Sequence, residues 1–181
     1  MVSKISRSQG AIYRVSPYLI VDVLKKLYYS LMYSHMIYGV SVWGGASVTA
    51  SNKINIIQQR FLRLLSGNNS YKLTRINHNI LNFQSIAKYF TGVKFYESHI
   101  NKNHPFIASM INDCTPNHEY STRFSNNNGL QVPYCRTTLI QKSFLYGSIS
   151  LWNSLSVSVK QAKSLSIFKN QLKTHLLAEQ D

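Results

Sequence analysis

Apolar side chains return at steps of three and four residues in five separate stretches of this 181-residue chain, a spacing that makes one continuous face only on an α-helix. The first stretch follows Ser16-Pro17, where a hydroxyl can cap free amides and proline's missing N–H costs nothing, so a helix is expected from there to Gly39. Its expected core stripe is Ile20, Val23, Leu24, Leu27, Leu31, His35 and Tyr38. A second helix is expected from Thr49 or Ser51 to Leu65, burying Ile54, Ile57, Phe61 and Leu65 and closing before Gly67. A third follows Ser85, with Ile86, Tyr89, Phe90, Val93 and Ile100 in register until His104-Pro105. Residues 112–135 turn to Asn, Ser, Pro and Gly without periodicity and read as a long loop. Order resumes at Leu139. Phe144, Leu145, Ile149 and Trp152 mark a helix ending in LWNSL, and a last helix starts near Ser164 or Ser166 with Phe168, Leu172 and Leu176 inward. The expected fold is mainly α, with a short hairpin around 130–138 as its one β feature.

The richest apolar window, LYYSLMYSHMIYGVSVWGG at residues 27–45, invites a membrane reading, but Ser30, Ser34 and His35 interrupt it well short of the roughly 20 apolar residues a spanning helix needs. It reads instead as a wall of a helical core followed by an elbow at Val42, Trp43, Gly44 and Gly45, with Trp43 plugging the corner. With 44% hydrophobic and 12% aromatic residues the chain has the material for a buried core. Two distant cysteines, Cys114 and Cys135, and a start unlike a secretory signal fit an intracellular, reducing compartment.

Charge narrows the partner. Twenty Lys and Arg against six Asp and Glu leave a formal net charge of +14, which attracts polyanions through counterion release and favours nucleic acid over an anionic membrane. On the first expected helix Lys25 and Lys26, with Tyr29 and Tyr33, fall opposite the apolar stripe, a mixture suited to phosphate and sugar or base. The plainer reading is a solvated face with Asp22 and Lys26 as an i,i+4 pair. Lys53, Arg60 and Arg63 flank the stripe of the second helix, so two neighbouring helices each carry a basic edge. Lys72 and Arg75 lie in a polar connector, where they extend the basic track or solubilise a loop. All seven are candidates for phosphate contacts without base specificity.

Catalysis finds no foothold. Two-metal nucleotidyl transfer needs carboxylates around ions about 4 Å apart, and Asp22, Glu97, Asp113, Glu119, Glu179 and Asp181 include no local pair on a strand-like apolar background. There is no GxSxG serine, and Gly39, Gly44, Gly45 and Gly67 do not compose a phosphate loop. Cys114, His118 and Cys135 lack the close cysteine pairs of a structural zinc site, so no metal is expected.

LKKLYYSLMYSHMIYGVSVWGG, NIIQQRFLRLL, LNFQSIAKYF, TR at 122–123, LWNSL at 151–155 and SLSIFKNQLKTHLL at 164–177 occur in an order that resembles the C-terminal portion of jockey-like non-LTR retrotransposon reverse transcriptases, from about Lys4 to Leu177. The resemblance implies a thumb-like helical module over 1–67, a helical connector over 68–111 and a loop region with a C-terminal helical segment over 112–181. It implies RNA-directed DNA polymerase as the activity of a complete protein whose palm, catalytic aspartates and Mg2+ lie upstream of the matched segment. It also implies RNA and DNA, as a primer–template duplex, as partners alongside that polymerase region, and the nucleus as location. The cysteine–histidine knuckle that ends some members is missing here. Alternatively the module is a degenerate or structural helical scaffold without nucleic-acid specificity.

Overall fold

The computed structural model describes residues 2–43, 48–66, 71–115, 120 and 122–179, apart from the side chains of Val42, Trp43, Arg123 and Ser125. The fold is mainly α, 76% helical and with no strand among the described residues. It comprises two compact units, residues 1–87 with 176–181, and residues 88–175. The elbow expected at Val42, Trp43, Gly44 and Gly45 and the helix stop at Gly67 lie outside the described residues and side chains.

The first unit contains α1 (Val2–Val15), a 3₁₀ turn at Ser16–Tyr18, α2 (Val21–Leu27), a π-helical segment at Tyr28–Tyr33, α3 (Ser34–Ile37), α4 (Val40–Trp43), α5 (Val48–Ser66), α6 (Tyr71–Asn77) and the first turn of α7 (Phe83–His99). No sequence expectation covers α1, yet its logic is plain. Ile5 and Ile12, seven residues apart, share one face and are buried, while Arg7 and Arg14 repeat the same interval outward. Ser16 does not cap a helix as expected; its hydroxyl donates to the Tyr13 carbonyl at 2.8 Å, and α2 begins at Val21 without side-chain assistance.

The expected core stripe of this region is corrected as well. Ile20 is 71%, Leu31 40% and Tyr38 80% exposed, and His35 is half-buried, whereas Leu24, Tyr28, Met32, Met36 and Val40 are each at most 3% exposed. The buried set advances by four residues rather than 3.6 because the π segment hydrogen-bonds i→i+5 and widens each turn. Gly39 ends the helix with φ 63, a conformation other residues resist.

Helix α5 matches its expected span and buries Ile54, Ile57, Phe61 and Leu65. Helix α1 packs on it and on the π segment. At the centre the Tyr28 ring stacks on Phe61 with centroids 4.7 Å apart. The fully buried Gln58 donates from Nε2 to the Tyr28 hydroxyl at 2.8 Å and to the Leu81 carbonyl at 2.7 Å, so one amide ties three segments together. Asn55 Oδ1 accepts from Phe83 N at 3.1 Å, and Asn82 Oδ1 caps α7 by accepting from Ser85 N at 2.8 Å.

The second unit holds the rest of α7, α8 (Pro105–Asn112), α9 (Arg123–Asn126), α10 (Thr138–Gln141), α11 (Phe144–Ser154), α12 (Val157–Lys160) and α13 (Leu165–Ala178) up to His175. His104-Pro105 is more than a break, because Pro105 supplies the first turn of α8. Ile100 lies past the end of α7 and is 47% exposed, contrary to its expected place in the stripe. The core is aromatic, built from Phe95, Tyr96, Trp152 and Phe168, with Tyr96 and Phe168 stacked at 4.3 Å. Gly92 permits this packing: a Cβ there would meet Leu172 Cδ2 at 2.8 Å and Leu151 Cδ2 at 3.2 Å. Phe168, Leu172 and Leu176 are fully buried on α13, as their spacing requires.

The hairpin expected around 130–138 does not form. The Leu130 backbone is engaged by the Asn153 side chain, which accepts from its N–H at 3.0 Å and donates to its carbonyl at 2.8 Å. Gln131 N donates to the Cys114 carbonyl at 2.7 Å, and Pro133 has no N–H to offer a ladder.

Candidate nucleic-acid interface

Six of the seven candidate cations reach solvent and one is buried. At 100° per residue Lys53, Arg60 and Arg63 fall within roughly 80° of one another on α5, opposite its buried stripe, and all three are exposed. Lys72 is exposed on α6, which replaces the connector expected there. Lys26 is exposed on α2. Lys25, not Lys26, pairs with Asp22, at 3.5 Å across i,i+3. This partly exposed pair contributes little to stability. Lys25 also lies near His78, whose imidazole is held below its ordinary pKa first by burial and then by that ammonium.

Arg63, Tyr71 and Arg75 come together. The Arg63 guanidinium sits 5.8 Å from the centre of the Tyr71 ring. Arg75, four residues beyond Tyr71, is only 8% exposed, and its Nε and Nη2 have no hydrogen-bond partner among the described residues. Burial lowers its pKa, while the neighbouring phenol oxygens of Tyr28 and Tyr71 pull the other way. Tyr28 itself is pushed well above the usual tyrosine value by burial, the Gln58 hydrogen bond opposing in part, so it stands there as a neutral phenol. Arg75 thus presents donors with no carboxylate among the described residues to receive them, and an uncompensated buried charge is costly. Replacing it by methionine (Arg75→Met) is expected to stabilise the unit by about 1–2 kcal/mol in a thermal or urea melt. A destabilisation of that size would show the guanidinium to be satisfied within the fold.

Of the rings expected beside Lys25 and Lys26, Tyr29 is exposed and Tyr33 is half-buried, and both flank the buried Tyr28. Tyr28 lies between Tyr29, at 5.1 Å, and Tyr33, at 6.2 Å. Tyr29 remains 43% exposed and is the one of the three that can meet a sugar or base.

Two features escaped sequence reasoning. Lys4, Arg7 and Arg14 are exposed on α1, and the seven-residue step shared by Ile5/Ile12 and Arg7/Arg14 was their signal. The second is an absence written in the sequence itself: no Asp or Glu occurs from Val23 to Tyr96, the span that carries all seven candidate cations. Apart from Asp22, which pairs with Lys25, no carboxylate lies near them in the sequence.

Cys114 and Cys135 are free thiols, and His118 lies outside the described residues. No cluster of three or more His, Cys, Asp or Glu side chains able to hold a metal ion occurs among the described residues, and no helix there is long and apolar enough to cross a membrane. No protein-family model, curated protein or solved structure matches the chain.

Proposed function

We propose that this chain is a non-catalytic nucleic-acid-binding module, the thumb and tail of a non-LTR retrotransposon reverse transcriptase, which grips the backbone of an RNA:DNA primer–template duplex in the nucleus. The observation that carries the reading is the acid-free span from Val23 to Tyr96, in which Lys26, Lys53, Arg60, Arg63 and Lys72 stand exposed and none forms an ion pair among the described residues. Cations of this kind position a duplex through phosphate oxygens and read no sequence. The ordered motifs from LKKLYYSLMYSHMIYGVSVWGG to SLSIFKNQLKTHLL support the choice of polymerase family. Carboxylates and Mg2+ for nucleotidyl transfer would come from the upstream polymerase region.

Affinity for a short RNA:DNA duplex is expected to fall steeply with salt, log K against log salt having a slope of about −0.9 for each phosphate neutralised. Five contacts would give a slope near −4.5 by that rule. Salt-independent affinity, or no binding at 50 mM salt, would refute the reading. The purified chain alone is expected to incorporate no nucleotide in primer extension. A structural-scaffold reading draws on the Lys25–Asp22 pair and the placement of Arg63 over Tyr71, which engage two of the cations within the fold.

A further inference from the structure

In the second unit a cavity of about 250 Å3 is lined by His99, Thr115, Asn128, Gly129, Trp152 and Lys160. A neighbouring cavity of about 420 Å3 shares Gly129 and Lys160 with it. Lys160, on α12, is 6% exposed. Its ammonium donates to the Asn127 carbonyl at 3.2 Å and lies 6.0 Å from the centre of the Trp152 ring. A lysine ammonium carries three donors, and no carboxylate among the described residues forms an ion pair with this one.

Three backbone carbonyls around it are already engaged. Asn127 O takes the Lys160 proton, Asn128 O takes Trp152 Nε1–H at 2.8 Å, and the Leu130 backbone is closed by the Asn153 amide. His99 is held between Phe95, at 5.4 Å, and Trp152, at 5.6 Å, with its Nδ1 buried and without a hydrogen-bond partner. Burial holds His99 below its ordinary pKa, so the imidazole is neutral and one of its nitrogens carries a proton. Among the described residues no Asp or Glu lines either cavity, and the unit as a whole has ten Lys and Arg against three Asp and Glu. The loop is preformed: Asn128 adopts φ 50, and the Phe124 ring covers Gly129 so closely that a Cβ would meet it at 2.6 Å. A pocket whose described lining carries no acid and holds an underused ammonium at its base accepts an anion.

We propose that Lys160 and His99 form a binding site for a phosphate monoester or inorganic phosphate, with Lys160 donating to the phosphate oxygens and His99 contributing a ring nitrogen at the wall. The site involves none of the first unit's cations and stands independently of the duplex-binding reading.

The test uses the full chain with Trp43→Phe, leaving Trp152 as the single tryptophan. It is titrated at constant ionic strength with inorganic phosphate and with a thymidine dinucleotide bearing either a 5′-phosphate or a 5′-hydroxyl. A saturable change in Trp152 fluorescence with phosphate, half-complete on the order of 1 mM, is expected, weakened at least tenfold in Lys160→Met. Tighter saturation by the 5′-phosphorylated dinucleotide than by inorganic phosphate would identify a strand end as the source. Equal or weaker saturation would identify the free ion, and either result upholds the site. A response to the 5′-hydroxyl dinucleotide as strong as to the other two overturns it, as does no response to any probe or one unchanged in Lys160→Met. Should Lys160→Met not fold, acetylation of Lys160 in the unsubstituted chain, followed by mass spectrometry, decides: about tenfold protection by phosphate is expected, and none overturns the site.

Discussion

Trp152→Ala is expected to lower the stability of the second unit by about 4 kcal/mol, the upper part of the range for emptying a large aromatic site. Trp152 is 2% exposed and meets Phe95 at 5.3 Å, His99 at 5.6 Å and Phe168 at 6.4 Å, so its removal leaves a cavity bordered by three rings. It also orphans the Asn128 carbonyl, which receives its indole N–H, and removes the ring beneath Lys160. Since folded domains retain only about 5–15 kcal/mol, a loss of this size consumes much of the margin. Trp152→Phe separates the causes, because it keeps apolar bulk and deletes the hydrogen bond, for an expected cost of about 1–2 kcal/mol. Urea unfolding followed by far-UV circular dichroism measures both. A cost below about 1 kcal/mol for Trp152→Ala would mean that the aromatic cluster is not what holds this unit together.

Reversing the outward stripe of α5 (Lys53→Glu, Arg60→Glu and Arg63→Glu together) is expected to weaken RNA:DNA duplex binding by roughly two to three powers of ten near 0.1 M salt. The slope of log K against log salt should become shallower by about 3. All three side chains are exposed, so folding should survive; the reversal removes the cation–π attraction of Arg63 to the Tyr71 ring, worth about 0.5–1 kcal/mol. Reversal of Lys102, Lys142 and Lys163, exposed in the second unit, is the matched control and should leave the slope within about 0.5 of its starting value. Equal weakening by the two sets would mean that affinity follows total charge rather than the α5 stripe, which is the behaviour of a scaffold that charge keeps soluble.

Where periodicity was regular, helix reading from sequence succeeded in detail. Helix α5 buries the four residues its spacing names, and α13 buries Phe168, Leu172 and Leu176. It failed where the backbone left the 3.6-residue period, since the π segment moved the core stripe from Leu31 to Tyr28 and Met32. It failed too where polar chemistry over long sequence separations replaced a regular element, as Asn153 did in closing Leu130. The candidate cations were legible as residues and as helix faces. That Arg75 turns inward beside Tyr28 while Arg63 stays out over Tyr71 was not legible, because the partners lie on different helices.

The helices of regular period, α5 and α13, their apolar faces and an excess of positive charge with few acids were determined by the chain alone, because backbone hydrogen bonds and side-chain spacing act within a turn or two and net charge is a sum over residues. Tertiary structure decided which cations meet solvent and which lose it. Arg75 and Lys160 read in the sequence like any other surface basic residue, yet each ends buried beside aromatic side chains, since desolvation depends on what packs against a side chain from elsewhere in the fold.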